Sequence, residues 1–343
     1  MSAALQAGRP VREIWIDTDP GFDDWFAWAL LEGDPGVRLH GVSVVAGNAP
    51  LPVVLANARR IHALHGWRTP VWAGADRPLV QPQVTAQDVL GAQGLPTSGA
   101  GLPADESPLQ SGHGVDAMIE AVRARPGRIT LLAIGPLTNV ALAFAKALEL
   151  PELLAGLVVM GGSLGAGNTT PVAEFNIYAD PEAAAQVFAQ AHRVPGGARM
   201  FGIEVCRQVH GTPAHVEAVR MAPPVARRAQ GKDAGNEAGA VPGGVARAVF
   251  ADHFGGYVEG ALRRGRPSAP MYDPTPVAWL AHPEWFTLQP AFVDVELHGR
   301  LTRGMTVCEL RVPQRAAPNA EVAVTADGAR VMDWAVDLLR GTL

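Results

Sequence analysis

Short apolar runs alternate along this chain with segments whose apolar residues recur at helical spacing. Residues 13–17, 39–46, 70–73, 129–134, 157–160 and 200–205 read as buried strands, rich in Ile, Val and Leu. Between them, residues 23–31, 52–65, 115–125, 137–148 and 181–191 carry the three-to-four-residue repeat of helices. The rhythm predicts an α/β fold, a mostly parallel open sheet flanked by helices on both faces. Residues 80–113 are rich in Gly, Pro and Gln and read as a long connection. Residues 213–270 read as mostly helical, interrupted by a Gly- and Pro-rich stretch at 230–244, and residues 293–298 and 322–324 as late strands before a closing helix at 330–339. No repeat and no linker divides the chain, so residues 1–343 are taken as one domain, with a core of about 12–340 and a helical region at about 213–270. In such a sheet ligands bind at the carboxyl ends of the strands. That rule nominates 17–24, 47–48, 135–139 and the residues from 161 onward.

Composition narrows the function more than the fold. The 343 residues are 48% hydrophobic and 18% charged, as in a globular protein, with a net charge of −5. No basic block stands out, which argues against a nucleic-acid polymer as partner. No apolar run approaches the roughly 18 residues that cross a membrane, and the N-terminal run has no apolar stretch behind a basic start, so a cytoplasmic protein is expected. The two cysteines, Cys206 and Cys308, exclude a disulfide framework and a paired-Cys zinc site, while leaving one disulfide open.

Candidate chemistry concentrates in one run, Asp17-Thr18-Asp19-Pro20-Gly21-Phe22-Asp23-Asp24, directly after the first strand. One aspartate at a helix start is ordinary capping. Four carboxylates around one turn repel one another unless a cation neutralises them, and all-oxygen ligands suit a hard ion such as calcium or magnesium rather than zinc. An Asp-x-Asp pair after a strand also resembles the haloacid-dehalogenase phosphatases. That family needs a lysine at its phosphoryl site, and the chain has only Lys146, in a helical stretch, and Lys232, in a Gly-rich one.

The full acidic string resembles the signature of the inosine–uridine preferring nucleoside hydrolases. Further matches follow in order: Val44 to Asn48, Gly135 to Asn139, Met160-Gly161-Gly162 with Asn168, Ala173 to Ala184, Tyr272-Asp273-Pro274, and Leu301 to Val307. The resemblance implies a Rossmann-like core and hydrolysis of the N-glycosidic bond of a small-molecule ribonucleoside. It implies calcium held by Asp19, Asp24, the Ile134 carbonyl and Asp273, and a calcium-bound water activated by Asp19. Asp23, Asn48, Asn168, Glu174 and Asn176 would hold the ribose, with Asp17 behind them as support and Asn139 bracing its loop. The 213–270 region would cap the substrate, and the protein would be a homo-oligomer, dimer or tetramer.

The resemblance breaks where the base leaves. The family's inosine–uridine branch has His immediately before the late calcium-binding Asp, where this chain has Tyr272, and a second expected His aligns with Leu90. A purine-preferring branch stacks an aromatic residue there, so Tyr272 can stack on the base, hydrogen-bond it, or only pack. Phe250, His253, Phe254 and Tyr257 recur at helical spacing and form either a pocket wall or a core face. His253 is the candidate replacement acid. Two other readings stay open: the metal-dependent phosphatase, and a degenerate nucleoside- or ribose-binding protein.

Overall fold

The computed structural model describes residues 10–223, 243–311 and 316–343. Eleven strands form among them: β1 (Arg12–Thr18), β2 (Val37–Val44), β3 (Val71–Ala73), β4 (Ile129–Ala133), β5 (Gly156–Met160), β6 (Ala198–Phe201), β7 (His210–Gly211), β8 (Ala269–Pro270), β9 (Phe286–Val295), β10 (Thr306–Glu309) and β11 (Ala320–Ala326). Nine of them make one sheet in the order β10-β9-β11-β6-β5-β4-β1-β2-β3, and β7 pairs with β8 apart from it. From β11 to β3 all neighbours are parallel, and β9 and β10 add an antiparallel edge. This is a single α/β domain with apolar clusters on both faces of the sheet. Strands covered on both sides read as nearly continuous apolar runs, which is why the short runs were recognisable.

Chain order reverses at β1, which lies between β2 and β4. Strands on either side connect through helices on opposite faces there, and a crevice opens beyond the carboxyl ends. Asp17 and Thr18 end β1, and Ile134 follows β4, so the acidic run and the Ile134 carbonyl meet at that crevice.

Several elements differ from the sequence expectation. The apolar run at 200–205 is not one strand. β6 stops at Phe201, and Ile203–Cys206 forms a short helix after Gly202. Gly202 packs so that an added Cβ would lie 3.1 Å from the Gly162 carbonyl, so the chain turns where β-branched composition suggested continuation. The late strand expected at 293–298 begins earlier, at Phe286, and ends at Val295. The connection at 80–113 contains a one-turn helix, Gln87–Leu90. The one-turn helix Phe175–Ala179 and the helix Pro274–Ala281 were not anticipated. Most of the Gly- and Pro-rich stretch at 230–244, with Lys232, lies outside the described residues.

Within the expected 213–270 region, helices Pro213–Arg220 and Gly243–Arg263 pack together, and the longer one also rests on Phe22–Gly33 and Leu51–His65. Cys206 and Cys308 are free thiols, so the disulfide left open by sequence is not formed. Among the described residues no helix is long and apolar enough to cross a membrane.

Candidate active site

The first turn of helix Phe22–Gly33 builds the acidic site. Asp24 accepts hydrogen bonds on Oδ1 from the Thr18 hydroxyl at 2.5 Å and the Asp19 N–H at 3.1 Å. Its Oδ2 accepts from the Gly21 N–H at 2.9 Å, closing the helix start. The helix-capping reading of the sequence is therefore correct for Asp24, but it accounts for one carboxylate only.

Asp19 is held by its surroundings from several sides. Its Oδ2 accepts the Asn48 N–H at 2.7 Å, and the Asn48 amide spans the Asp19 carbonyl at 3.0 Å and Asp24 Oδ2 at 3.2 Å. A Cβ on Gly135 would stand 2.7 Å from Asp19 Oδ1, and one on Gly47 would stand 2.8 Å from Asp19 Cγ. The two glycines leave a cradle that only the carboxylate fills. Asp17 is fully buried, accepting on Oδ1 from Ser43 Oγ and from Asn139 Nδ2 at 2.8 Å, and among the described residues its Oδ2 has no hydrogen-bond partner. Asn139 in turn accepts the Ala75 N–H at 2.8 Å. Sequence reasoning missed Ser43, although a hydroxyl in the otherwise apolar end of β2, in register with Asp17, was a usable signal.

Asp273 enters from the start of helix Pro274–Ala281. It is 4% exposed, and among the described residues its side chain makes no hydrogen bond. One oxygen each of Asp23, Asp24 and Asp273 lies within 4.8 Å of the others. Burial raises the pKa of Asp19 and Asp273 well above the usual carboxylate range, and the negative charge of the neighbouring aspartates raises both further. Asp23 is pushed up to about 7 by burial and then by Asp24. None of the leading influences on these groups is a cation. A cluster of carboxylates that cannot all ionise alone, one of them lacking any hydrogen-bond donor, fits a hard divalent metal.

Beyond β5 lie Glu174 and Asn176. Glu174 caps helix Phe175–Ala179, accepting the N–H groups of Gly162 and Asn176 at 2.9 Å each and of Ile177 at 3.2 Å. Burial lifts it to about 7 in spite of these donors. Asn176 Nδ2 donates to the Ile134 carbonyl at 2.8 Å and to that of Met160 at 3.1 Å, tying the ends of β4 and β5 together. Asn168 is exposed and its Oδ1 accepts from the Phe175 N–H at 2.9 Å, so here it supports its loop.

The aromatic stripe of helix Gly243–Arg263 divides. Phe250 and Phe254 are fully buried around Phe22, with Phe254 stacked on it at 5.5 Å between centroids. These two belong to the core. His253 is also buried, with Nδ1 on the Pro96 carbonyl at 2.8 Å and its ring edge-on to Trp25, and it contacts no carboxylate of the cluster. Tyr257 alone reaches the site: its hydroxyl lies 2.8 Å from the Pro270 carbonyl and 3.3 Å from Asp23 Oδ2. Tyr257 also lines a small cleft of about 170 Å³ with Val89, Leu90, Pro96, Arg263 and Arg264. Tyr272 is half-buried, close enough to Tyr257 that a charge on one is felt by the other.

A parallel sheet carrying buried, mutually repelling carboxylates at its switch point, beside a cleft lined by Tyr257, defines a hydrolase-type site for a small polar ligand. The phosphatase reading lacks its lysine: Lys146 is exposed on helix Thr138–Lys146 and pairs with Asp116, and no other lysine falls among the described residues. The family model described as inosine-uridine preferring nucleoside hydrolase matches residues 14–333, and the chain belongs to that family. It is 35% identical over 331 residues, 95% of this chain and 97% of the relative, to a non-specific ribonucleoside hydrolase RihC of Escherichia coli. Identity is also 35% to a pyrimidine-specific ribonucleoside hydrolase RihA of Salmonella paratyphi C, over 95% of this chain and 98% of that one. A solved plant nucleoside hydrolase superposes with a TM-score of 0.81 at 25% identity, covering 96% of this chain and 99% of that one. The chain is therefore an enzyme of ribonucleoside hydrolysis.

Proposed function

We propose that the enzyme hydrolyses ribonucleosides with calcium bound at the acidic crevice, with Asp19 as the general base. The observation that supports this reading best is the cradle of Gly47, Gly135 and Asn48, which fixes one buried carboxylate beside others that repel it. Asp19, Asp24, the Ile134 carbonyl and Asp273 would hold the ion. When bound, calcium supplies a hard Lewis acid and reverses the electrostatic cause that keeps these carboxylates protonated. Asp19, ionised, takes the proton of the attacking water. Water adds to the anomeric carbon as the C–N bond breaks, and neighbouring carboxylates stabilise the positive charge that develops on the sugar.

Asp23, Asn48, Glu174 and Asn176 face or brace the same crevice and are assigned to the ribose hydroxyls, whose recognition needs both donors and acceptors. Asn168 is assigned to the same set, reaching the sugar through movement of its loop. Asp17 supports Asp19 through the backbone of β1. The cleft beside Tyr257 is assigned to the leaving base, with Tyr272 next to it and helix Gly243–Arg263 as its cap. His253 and Phe254 act from behind, as packing for that helix. Both thiols are free, which suits a reducing cytoplasm, and the family resemblance extends to a homo-oligomer, dimer or tetramer.

The test is a reducing-sugar assay on a panel of purine and pyrimidine ribonucleosides, with and without a calcium chelator. Ribose release that falls with chelation and returns with added calcium is expected. Phosphate release from generic esters without free ribose would move the protein to the phosphatase class. Tight binding of ribose-like ligands with no ribose released from any nucleoside would make it a binding protein. Sedimentation at monomer size would remove the assembly.

A further inference from the structure

Three arginines, Arg263, Arg264 and Arg266, fall within four residues at the end of helix Gly243–Arg263. The helix terminates through Gly265, whose φ of +77° lies in the left-handed region. The Gly265 N–H bonds the Leu262 carbonyl and the Arg266 N–H reaches back to that of Ala261, at 2.9 and 3.2 Å. This reversal lays Arg266 against the segment that leads to Tyr272. Its Nη1 donates to the Tyr272 hydroxyl oxygen at 3.4 Å. Arg266 is half-buried, and among the described residues no carboxylate pairs with it. A guanidinium partly withdrawn from solvent without an acid is uncommon, and here its described side-chain partner is the phenol next to Asp273.

A hydroxyl oxygen that accepts an arginine N–H directs its own proton elsewhere, because donor and acceptor directions at one oxygen diverge. Tyr257 does not compete as a source, since the Pro270 carbonyl and Asp23 take its proton. We propose that Arg266 is a positioning residue that turns the Tyr272 hydroxyl proton toward the departing base, an arginine–tyrosine pair standing where the related branch has histidine. This inference rests on the assignment of Tyr272 to the base side of the site. As the C1′–N bond breaks, its electron pair stays with the base. The Tyr272 proton passes to a base nitrogen, and the guanidinium remains on the oxygen left behind. After the base departs, Asp19 releases the proton it took from the attacking water to solvent, and solvent returns one to Tyr272, so the net consumption is one water.

The pair is tested with Arg266→Met, Arg266→Lys, Tyr272→Phe and the double variant Arg266→Met/Tyr272→Phe. Each is assayed on inosine, on uridine and on p-nitrophenyl β-D-ribofuranoside, whose leaving group departs without a proton. Arg266→Met is expected to lower kcat on the nucleosides by about tenfold or more, the low end of acid catalysis, and to stay within about twofold on the nitrophenyl riboside. Arg266→Lys restores part of the loss, and the double variant is no slower than Tyr272→Phe alone. Equal losses on all three substrates would reduce Arg266 to a structural role and overturn the proposal, as would independent effects that multiply in the double variant. If Tyr272→Phe slows the nucleosides and Arg266→Met does not, the arginine falls and the tyrosine assignment stands. If Tyr272→Phe leaves every substrate unchanged, both fall. Absence of turnover by the parent on all three substrates would instead refute the nucleosidase reading.

Discussion

Replacing Gly47 by alanine is the smallest perturbation that should reach the proposed base. The backbone at Gly47 does not occupy the left-handed region, so alanine adds no conformational strain and its effect is purely steric. The new Cβ would stand 2.8 Å from Asp19 Cγ on one side and 2.8 Å from Pro136 Cδ on another, and nearer still to Asp19 Oδ2. Carbon atoms rest at about 3.5–4.0 Å, so the new contacts must open by roughly 0.7–1.2 Å. Pro136 is a ring in a turn between β4 and the next helix, and the Asp19 carboxylate is the softer of the two. Its movement stretches the 2.7 Å bond from the Asn48 N–H that orients it. A misplacement of about 1 Å at a reacting group costs about 10²-fold in rate, or about 2.7 kcal/mol of barrier. The assay is steady-state ribose release by Gly47→Ala, beside Gly101→Ala as control, where an added Cβ meets nothing within 4 Å. Circular dichroism establishes that both remain folded. A folded Gly47→Ala enzyme that keeps kcat within a few-fold of the parent would refute the claim that this cradle sets the geometry of the base.

Asp19→Asn keeps shape and removes the acceptor, so turnover should fall by about 10²–10⁴-fold with little change in fold. A rate near the parent's would exclude Asp19 as base. Calcium at about a hundred times its dissociation constant should add about 2.7 kcal/mol. With an unfolding entropy of about 2.1 cal/mol/K per residue over 343 residues, that raises Tm by about 4 °C. A Tm indifferent to calcium and to chelator in scanning calorimetry would contradict an ion at the crevice, and the Asp273→Asn variant should lose most of the rise. His253 is depressed below its ordinary 6.5 by burial. The unfolded state therefore binds its proton first, so its contribution is present above about pH 6.5 and is lost as pH falls through the folded value. His253→Gln should flatten the decline of Tm between about pH 6.5 and 5, and parallel declines in both proteins would show that another group carries it.

The parallel strands were legible because their apolar runs are buried on both faces and broken by turns. The limits of β6 and β9 were not, since strand pairing is decided by neighbours distant in sequence. Ile203 and Val205 favour a strand locally, yet the turn at Gly202 puts them in a helix. The acidic crevice was legible for another reason: most of its carboxylates come from eight consecutive residues, and the topology brings Asp273 to them. What sequence could not separate was use from packing along one helix face. Phe250, His253, Phe254 and Tyr257 share a periodicity, but only the tyrosine has its polar atom at the level of Asp23. Among the described residues, Phe250, His253 and Phe254 are buried without hydrogen-bonding a carboxylate of the cluster, and a stripe of aromatic residues alone carries no information on which member does.

Asn168 and Glu174 sharpen the same distinction. Both lie in the motif that resembles the ribose-binding run, and both side chains are occupied with backbone N–H groups in the structure. For Glu174 that does not oppose a role at the sugar. Its carboxylate is fixed by three donors, yet burial still holds its pKa at about 7, so the site keeps a group whose charge depends on what binds beside it. For Asn168 the position is different. An exposed amide holding the Phe175 N–H must release that bond or carry its loop inward to meet a ligand. On the proposed assignment, the ribose side of this crevice is largely assembled before substrate arrives, with the Asn168 loop the part that would close. The base side as proposed rests on a separate structure, the helix end that turns at Gly265 and the tyrosine that Arg266 contacts. The proposal thus divides sugar chemistry and base choice between different elements of the fold, and substitutions at the helix end are expected to change which base leaves without rebuilding the carboxylate crevice.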